Sequence, residues 1–198
     1  KRSDMQIVII DNYDSFVYNI VRYINDATSQ KAAVMRNDKI DFALLEKADA
    51  IVLSPGPGIP EEAGELMKVI EQFHAEKPIL GICLGHQAIG EYFGARLVQN
   101  EFPLHGKSTL INKVIDDKLF IGLPAKFEVG RYHSWSIENN SSVLEVTSQT
   151  DQNEVMSIKH ASLPIYGLQF HPESILTPNG RQIIQNWIAT IQLKTTAI

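Results

Sequence analysis

The chain of 198 residues has a single cysteine, Cys83, and its neighbours suit a reactive thiol. An apolar run, Ile79 to Cys83, meets a glycine-flanked corner, Gly81-Ile-Cys-Leu-Gly85, and a helical pattern starts at once. A nucleophile elbow has this form, here with cysteine in place of the more familiar serine. The tight turn pushes the nucleophile out of the sheet, and the flanking glycines let other backbone pass close by. It also leaves the Leu84 amide at a helix N-terminus, where a developing oxyanion is stabilised. A free cysteine more often packs as a small buried hydrophobe. What favours chemistry is a second cluster at the end of another apolar strand, Gln169-Phe-His171-Pro-Glu173-Ser. A thiol needs a base to become a thiolate at neutral pH, and the base needs an acceptor that orients it. His171, 88 positions beyond Cys83, is the candidate base. Glu173 is the candidate acceptor for its other ring nitrogen. Pro172 biases the chain toward an extended or turn conformation, which aims His171 and Glu173 in similar directions. His86 is a rival base by proximity alone. A helix leaving the elbow need not aim it at the thiol, and no carboxylate stands two residues away.

Three blocks, Pro55-Gly-Pro-Gly58, Gly81-Ile-Cys-Leu-Gly-His-Gln87 and His171-Pro-Glu173, resemble the signature blocks of the class I (triad-type) glutamine amidotransferases. Asp11-Asn-Tyr-Asp-Ser-Phe16, His105-Gly-Lys107 and Arg131-Tyr-His-Ser134 narrow the resemblance to the branch serving chorismate-using synthases. That branch holds anthranilate synthase component II and the glutaminase subunit of aminodeoxychorismate synthase. The match runs in the family's order from about Met5 to Leu193.

The resemblance implies hydrolysis of the side-chain amide of L-glutamine. Cys83 would attack, His171 would protonate the departing ammonia, and water would cleave a glutamyl thioester. Gly56 would join Leu84 as an oxyanion donor. Substrate contacts would come from Gly56, Pro57, Gly58, Leu84, Gln87, Ser134 and Trp135. Gln87, four residues after Cys83, falls on the same helix face. Trp135 stands where the family often has leucine, a change that a backbone contact survives. Ammonia would pass to a chorismate-binding synthase subunit (component I type) in a hetero-oligomer that makes anthranilate for tryptophan biosynthesis. The alternatives are the aminodeoxychorismate subunit of folate biosynthesis, a noncatalytic partner-binding subunit, and a free-standing hydrolase. The fold implied is flavodoxin-like α/β, a mostly parallel central sheet with helices on both faces and a small antiparallel β addition.

The elements agree with that frame. Gln6 to Ile10, Ala32 to Met35, Ala50 to Leu53 and Ile79 to Cys83 read as strands. Helical patterns lie between them: Val17, Ile20, Val21 and Ile24; Asp41 to Lys47; Leu66, Val69, Ile70 and Phe73. Such alternation predicts a parallel sheet with helices on both faces. Ligands then gather at the strands' carboxyl ends, where Asp11, Pro55 to Gly58 and Cys83 all fall. From about Arg96 to His160 the pattern changes to short β pieces, Ser108 to Val114, Phe127 to Val129, Val143 to Thr147 and Val155 to Lys159, which suggest antiparallel additions. Ile165 to Phe170 returns to a buried strand. A last helix opens at Asn179-Gly180, with Ile183, Ile184, Trp187, Ile188 and Ile191 on its apolar face. Asp14 or Ser15 is expected to cap the first helix, with Phe16 packed inward. That segment is also near the synthase contact in the resembling family.

One domain, 1–198 with a core of about 5–193, is the economical organisation for this length. Hydrophobic residues make up 44% and charged residues 21%, as in a globular protein. A net charge of −5 without a dense basic run argues against nucleic-acid binding. One cysteine permits no internal disulfide and suits a reducing compartment, so a cytoplasmic location is expected. The apolar run at the N-terminus, Met5 to Ile10, is too short for a signal-peptide core or a membrane span. No ligand pair has metal-binding spacing, and neither metal nor cofactor is expected. His105 and His133 read as structural or interfacial, His74 and His160 as solvated.

Overall fold

The computed structural model describes residues 4–195. The extremes of the expected domain, 1–3 and 196–198, lie outside the described residues. The first half alternates strand and helix: β1 (Ile7–Asp11), α1 (Val17–Ala27), β2 (Ala33–Arg36), α2 (Phe42–Glu46), β3 (Ala50–Leu53), α3 (Leu66–Phe73), β4 (Ile79–Ile82) and α4 (Leu84–Tyr92). There follow β5 (Arg96–Gln99), β6 (Lys107–Lys113), β7 (Lys126–Arg131), β8 (Trp135–Glu138), β9 (Leu144–Gln149), β10 (Val155–His160), β11 (Ile165–Leu168) and α5 (Gly180–Thr195).

Nine strands form one sheet in the order β2-β1-β3-β4-β11-β10-β9-β6-β7. From β2 to β11 all pairings are parallel, and from β11 onward all are antiparallel. The antiparallel additions therefore extend the parallel sheet edge to edge. Among the described residues, only β5 and β8 form a separate two-stranded ribbon.

Every residue of β1, β3 and β4 is buried, because helices cover both faces. Alternate side chains go to opposite layers. Ile7, Ile9, Val52, Leu80 and Ile82 pack with α1 and α5, whose Ile20, Ile24 and Trp187 are fully enclosed. Val8, Ile10, Ile51, Leu53 and Ile79 pack with Leu66, Val69, Ile70 and Phe73 of α3 and with Ala88 and Ile89 of α4. The parallel register brings the carboxyl ends of β1, β3, β4 and β11 to one edge.

Several local expectations need correction. Phe16 is 61% exposed, because the segment before α1 runs over a cleft and not into the core. Phe16 itself occupies the N-cap position of α1, with no side-chain cap. Asp14 Oδ1 instead accepts from the Phe16 amide at 3.1 Å, one step outside the helix. His74 and His160 are not simply solvated. Their rings flank Phe93 at 5.7 and 4.8 Å, because the aromatic side chains around α4 need edge partners.

Candidate active site

Cys83 sits between β4 and α4 with φ 52° and ψ −100°, a region that side-chain-bearing residues rarely occupy. Such a conformation costs on the order of 1–3 kcal/mol and persists only where surroundings impose it. Here the Cys83 amide donates to Leu168 O of β11 at 2.7 Å. A Cβ on Gly81 would lie 2.5 Å from Gly85 backbone, and one on Gly85 would lie 2.3 Å from Leu53 O. Only glycine at both positions lets the corner close. The Leu84 and Gly85 amides occupy the first turn of α4, where no acceptor exists inside the helix.

His171 arrives from β11 and is fixed at both ends of its backbone. Its amide donates to Gly130 O of β7 at 3.0 Å, and its carbonyl accepts from Thr177 Oγ1 at 2.6 Å. The ring Nδ1 lies 2.6 Å from Glu173 Oε1. Nε2 is buried and makes no hydrogen bond of good geometry, yet the Cys83 sulfur is near enough to act on the ring's charge. Burial by itself would push this imidazole down, but the Cys83 sulfur and the Glu173 carboxylate outweigh it and hold His171 well above the ordinary histidine range. The edge of Tyr132 covers the ring at 4.9 Å between centroids. Asp14 closes the same region; burial, and then repulsion from Glu173, raise its carboxyl to about 6.

His86 is fully enclosed against β11, where a Cβ on Gly167 would lie 2.6 Å from its Nδ1. Burial, and then His133, push it down to about 3. It is a neutral packing residue, remote from a base's task.

A cleft of about 810 Å³ opens over the triad. Gly56, Pro57, Cys83, His171 and Glu173 line it, joined by the segment from Tyr13 to Phe16. Gly58, Leu84, Gln87, Ser134 and Trp135 lie outside that lining. Gly56 is wedged against β1's exit, since a Cβ there would meet Asn12 O at 2.3 Å, and Gly58 has φ +76°. The Gln87 amide is already engaged: Nε2 donates to Trp135 O at 2.8 Å and to Gln169 Oε1 at 3.3 Å. Ser134 gives its carbonyl to the Asn100 amide at 2.8 Å, which ties the start of β8 to the end of β5. Gln169 received no role from its sequence position, although its Nε2 reaches Cys83 Sγ at 3.7 Å. The available signal was a polar residue at the end of an apolar strand, two positions from His171 and so on the same face. Among the described residues, no group of three or more His, Cys, Asp or Glu could hold a metal ion. No helix among them is long and apolar enough to cross a membrane.

A thiol on a strained elbow, an imidazole locked by a carboxylate and free helix-terminal amides can form and hydrolyse a thioester. The comparisons point to one family. The model of glutamine amidotransferase class-I matches residues 8–191. Bifunctional protein TrpGD of Thermotoga maritima is 45% identical over 197 residues, 96% of this chain but only 33% of that longer protein. Anthranilate synthase component 2 of Lactococcus lactis is 45% identical over 92% of this chain and 93% of its own length. Aminodeoxychorismate/anthranilate synthase component 2 of Bacillus subtilis is 42% identical over 96% and 100%. Among solved structures, a putative GMP synthase subunit from Thermoplasma acidophilum superposes with a TM-score of 0.86 at 29% identity, covering 97% of this chain and 96% of that one. With that family model spanning nearly all of its length, the chain belongs to the class-I glutamine amidotransferases.

Proposed function

We propose that the chain is the glutaminase component of a chorismate-using synthase, and that it supplies ammonia for anthranilate formation. The single observation that carries the chemistry is the Cys83 elbow facing the His171–Glu173 pair across one cleft. Cys83 Sγ attacks the δ-carbon of L-glutamine. The tetrahedral oxyanion lies at the Leu84 amide, with Gly56 as the second donor. His171, charged by the thiol's proton, returns that proton to the leaving ammonia through Nε2. It then takes a proton from the water that cleaves the thioester, and Glu173 stabilises the imidazolium from the Nδ1 side. Gln87 supports the site through the Trp135 carbonyl and Gln169. Substrate contact by Gly58, Ser134 and Trp135 requires their backbone to face the cleft once glutamine is in place.

The relatives' designation as component 2 supports placing the acceptor chemistry in a component I type partner. The mouth of the cleft offers that partner Phe16, Tyr13, Tyr132 and Ile175, the last 94% exposed. The name of the Bacillus relative, which joins both products, favours a second reading in which one chain serves both synthases.

The test is product formation with purified partners of each kind, using glutamine or ammonia. Cys83→Ala is expected to lower glutamine-dependent turnover by about 10⁴-fold or more, with ammonia-dependent turnover intact. Near-normal glutamine use by this variant would sink the reading.

A further inference from the structure

Gln169 is fully buried between β11 and His171, and it is an uncharged side chain within reach of the nucleophile's sulfur. We propose that Gln169 is a further catalytic residue, whose amide donates to Cys83 Sγ to aim the sulfur and stabilise its anion, in an orientation dictated by the Trp135 carbonyl through Gln87.

The direction of that bond follows from groups whose polarity is fixed. An arginine side chain only donates, and Arg131 Nε meets His133 Nε2 at 3.1 Å. That nitrogen must accept, so the ring hydrogen sits on Nδ1, which donates to Trp135 O at 2.8 Å. Burial, and then Arg131, push His133 down to about 4, in keeping with a neutral ring. A backbone carbonyl only accepts, so the group of Gln87 that faces Trp135 O at 2.8 Å is its NH₂. The same NH₂ faces Gln169 at 3.3 Å, where it requires an oxygen. Gln169 therefore turns its own NH₂ toward the sulfur, 3.7 Å away. One backbone carbonyl thus sets two glutamines in series, and the guanidinium fixes the tautomer of the histidine that shares that carbonyl.

The far end is anchored as well. Arg131 pairs through Nη2 with Glu154 Oε2, and Ser136 Oγ lies 2.6 Å from Glu154 Oε1 and 2.7 Å from Asn100 Oδ1. One hydroxyl hydrogen cannot serve both oxygens. Asn100 Nδ2 also lies 3.2 Å from His133 Nδ1, which already carries a hydrogen. Turning the Asn100 amide over resolves both conflicts: its NH₂ then donates to Ser136 Oγ, whose hydrogen goes to Glu154, and an oxygen in place of the NH₂ faces the Nδ1 hydrogen.

A hydrogen bond to a charged acceptor outweighs one to a neutral acceptor. The donor therefore matters most when the sulfur is anionic. The same amide lies away from the cleft lining, so its loss leaves glutamine binding largely alone.

The role rests on the glutaminase reading, and the experiment separates the two. Gln169→Met keeps the bulk and removes the donor; Gln169→Glu keeps the shape and sets an acceptor against the sulfur. Two rates are read: glutamine turnover with the partner present, and alkylation of Cys83 by iodoacetamide in the chain alone. Gln169→Met is expected to lower kcat and the alkylation rate by about ten- to a hundredfold, with KM within about twofold of wild type. Gln169→Glu is expected to be slower still, with an unfolding midpoint near that of Gln169→Met. A role in packing alone predicts the opposite order, because Glu is the closer isostere. Wild-type rates in Gln169→Met, or Gln169→Glu faster than Gln169→Met, would overturn the proposal. Slowed alkylation in a chain that releases no ammonia even with a partner would support the amide's action on the sulfur and discard the glutaminase.

Discussion

At the scale of single residues, Glu173 and Cys83 act on opposite nitrogens of one imidazole with unequal consequences. Without His171 the imidazole base is gone, and His86 cannot replace it, because His86 is buried, neutral and packed against β11. Without Glu173 the ring keeps its backbone anchors at Gly130 and Thr177 and the cover of Tyr132. His171→Ala is therefore expected to be nearly inactive, and Glu173→Ala to lose roughly a hundredfold less, measured as ammonia released from glutamine. The reverse ranking would reassign the base. These three residues were legible because the elbow and the His-Pro-Glu unit are local patterns, each readable within a few positions. Where the Gln87 amide goes was not legible. Its acceptor, Trp135 O, is 48 positions away on β8, and helix spacing gives a face but no partner.

At the scale of elements, α4 is the piece on which the site depends, and it is packed with little slack. Gly81, Gly85 and Gly167 bring β4, β3 and β11 so close to this helix that His86 has no water to charge in. A histidine held near 3 in the folded chain and near 6.5 unfolded binds protons preferentially in the unfolded state. Its contribution is complete above about pH 6.5 and is lost as the pH falls toward 3. Urea unfolding across this range is expected to show falling stability, and a steeper fall in the wild type than in His86→Met. Parallel slopes would mean that His86 is charged in the fold. The strands beside α4 were legible as unbroken apolar runs bounded by turns, whereas β5 and β8 were not. Arg96–Gln99 is half exposed throughout and carries no alternation, since its ribbon lies outside the main sheet. The outward turn of Phe16 had no local signal either, because an aromatic beside a helix start reads as core unless the cleft beneath it is known.

At the scale of the whole molecule, the question is how a surface at the cleft mouth could govern the loop beside the thiol. Ammonia made without an acceptor is wasted, so a glutaminase of this kind should respond to its partner. Tyr13, with φ 62°, and Phe16 lie at that mouth, and Asn12 stands directly behind them. The Asn12 amide donates to Ser54 Oγ at 2.8 Å, and Asn12 Nδ2 donates to Ser54 O at 2.8 Å. Ser54 Oγ in turn donates to Pro55 O at 2.7 Å. Gly56 follows, in van der Waals closure with the Asn12 backbone. Pressure on the Tyr13–Phe16 segment thus reaches the Pro55–Gly58 loop through two residues. Glycine at 56 and 58 lets a peptide there adopt either of two orientations at small cost, only one of which aims the Gly56 amide at the oxyanion. Losing one such donor costs about 10²–10³-fold in turnover, enough for a switch. The chain alone is therefore expected to release ammonia from glutamine slowly, and a chorismate-binding partner to raise the rate by a comparable factor. Asn12→Ala should narrow the ratio between the two rates, because it removes the side-chain bond to Ser54 O and leaves only the backbone part of the link from surface to loop. Full activity of the isolated chain would rule the switch out, and an undiminished ratio in Asn12→Ala would show that the Asn12 side chain does not carry it.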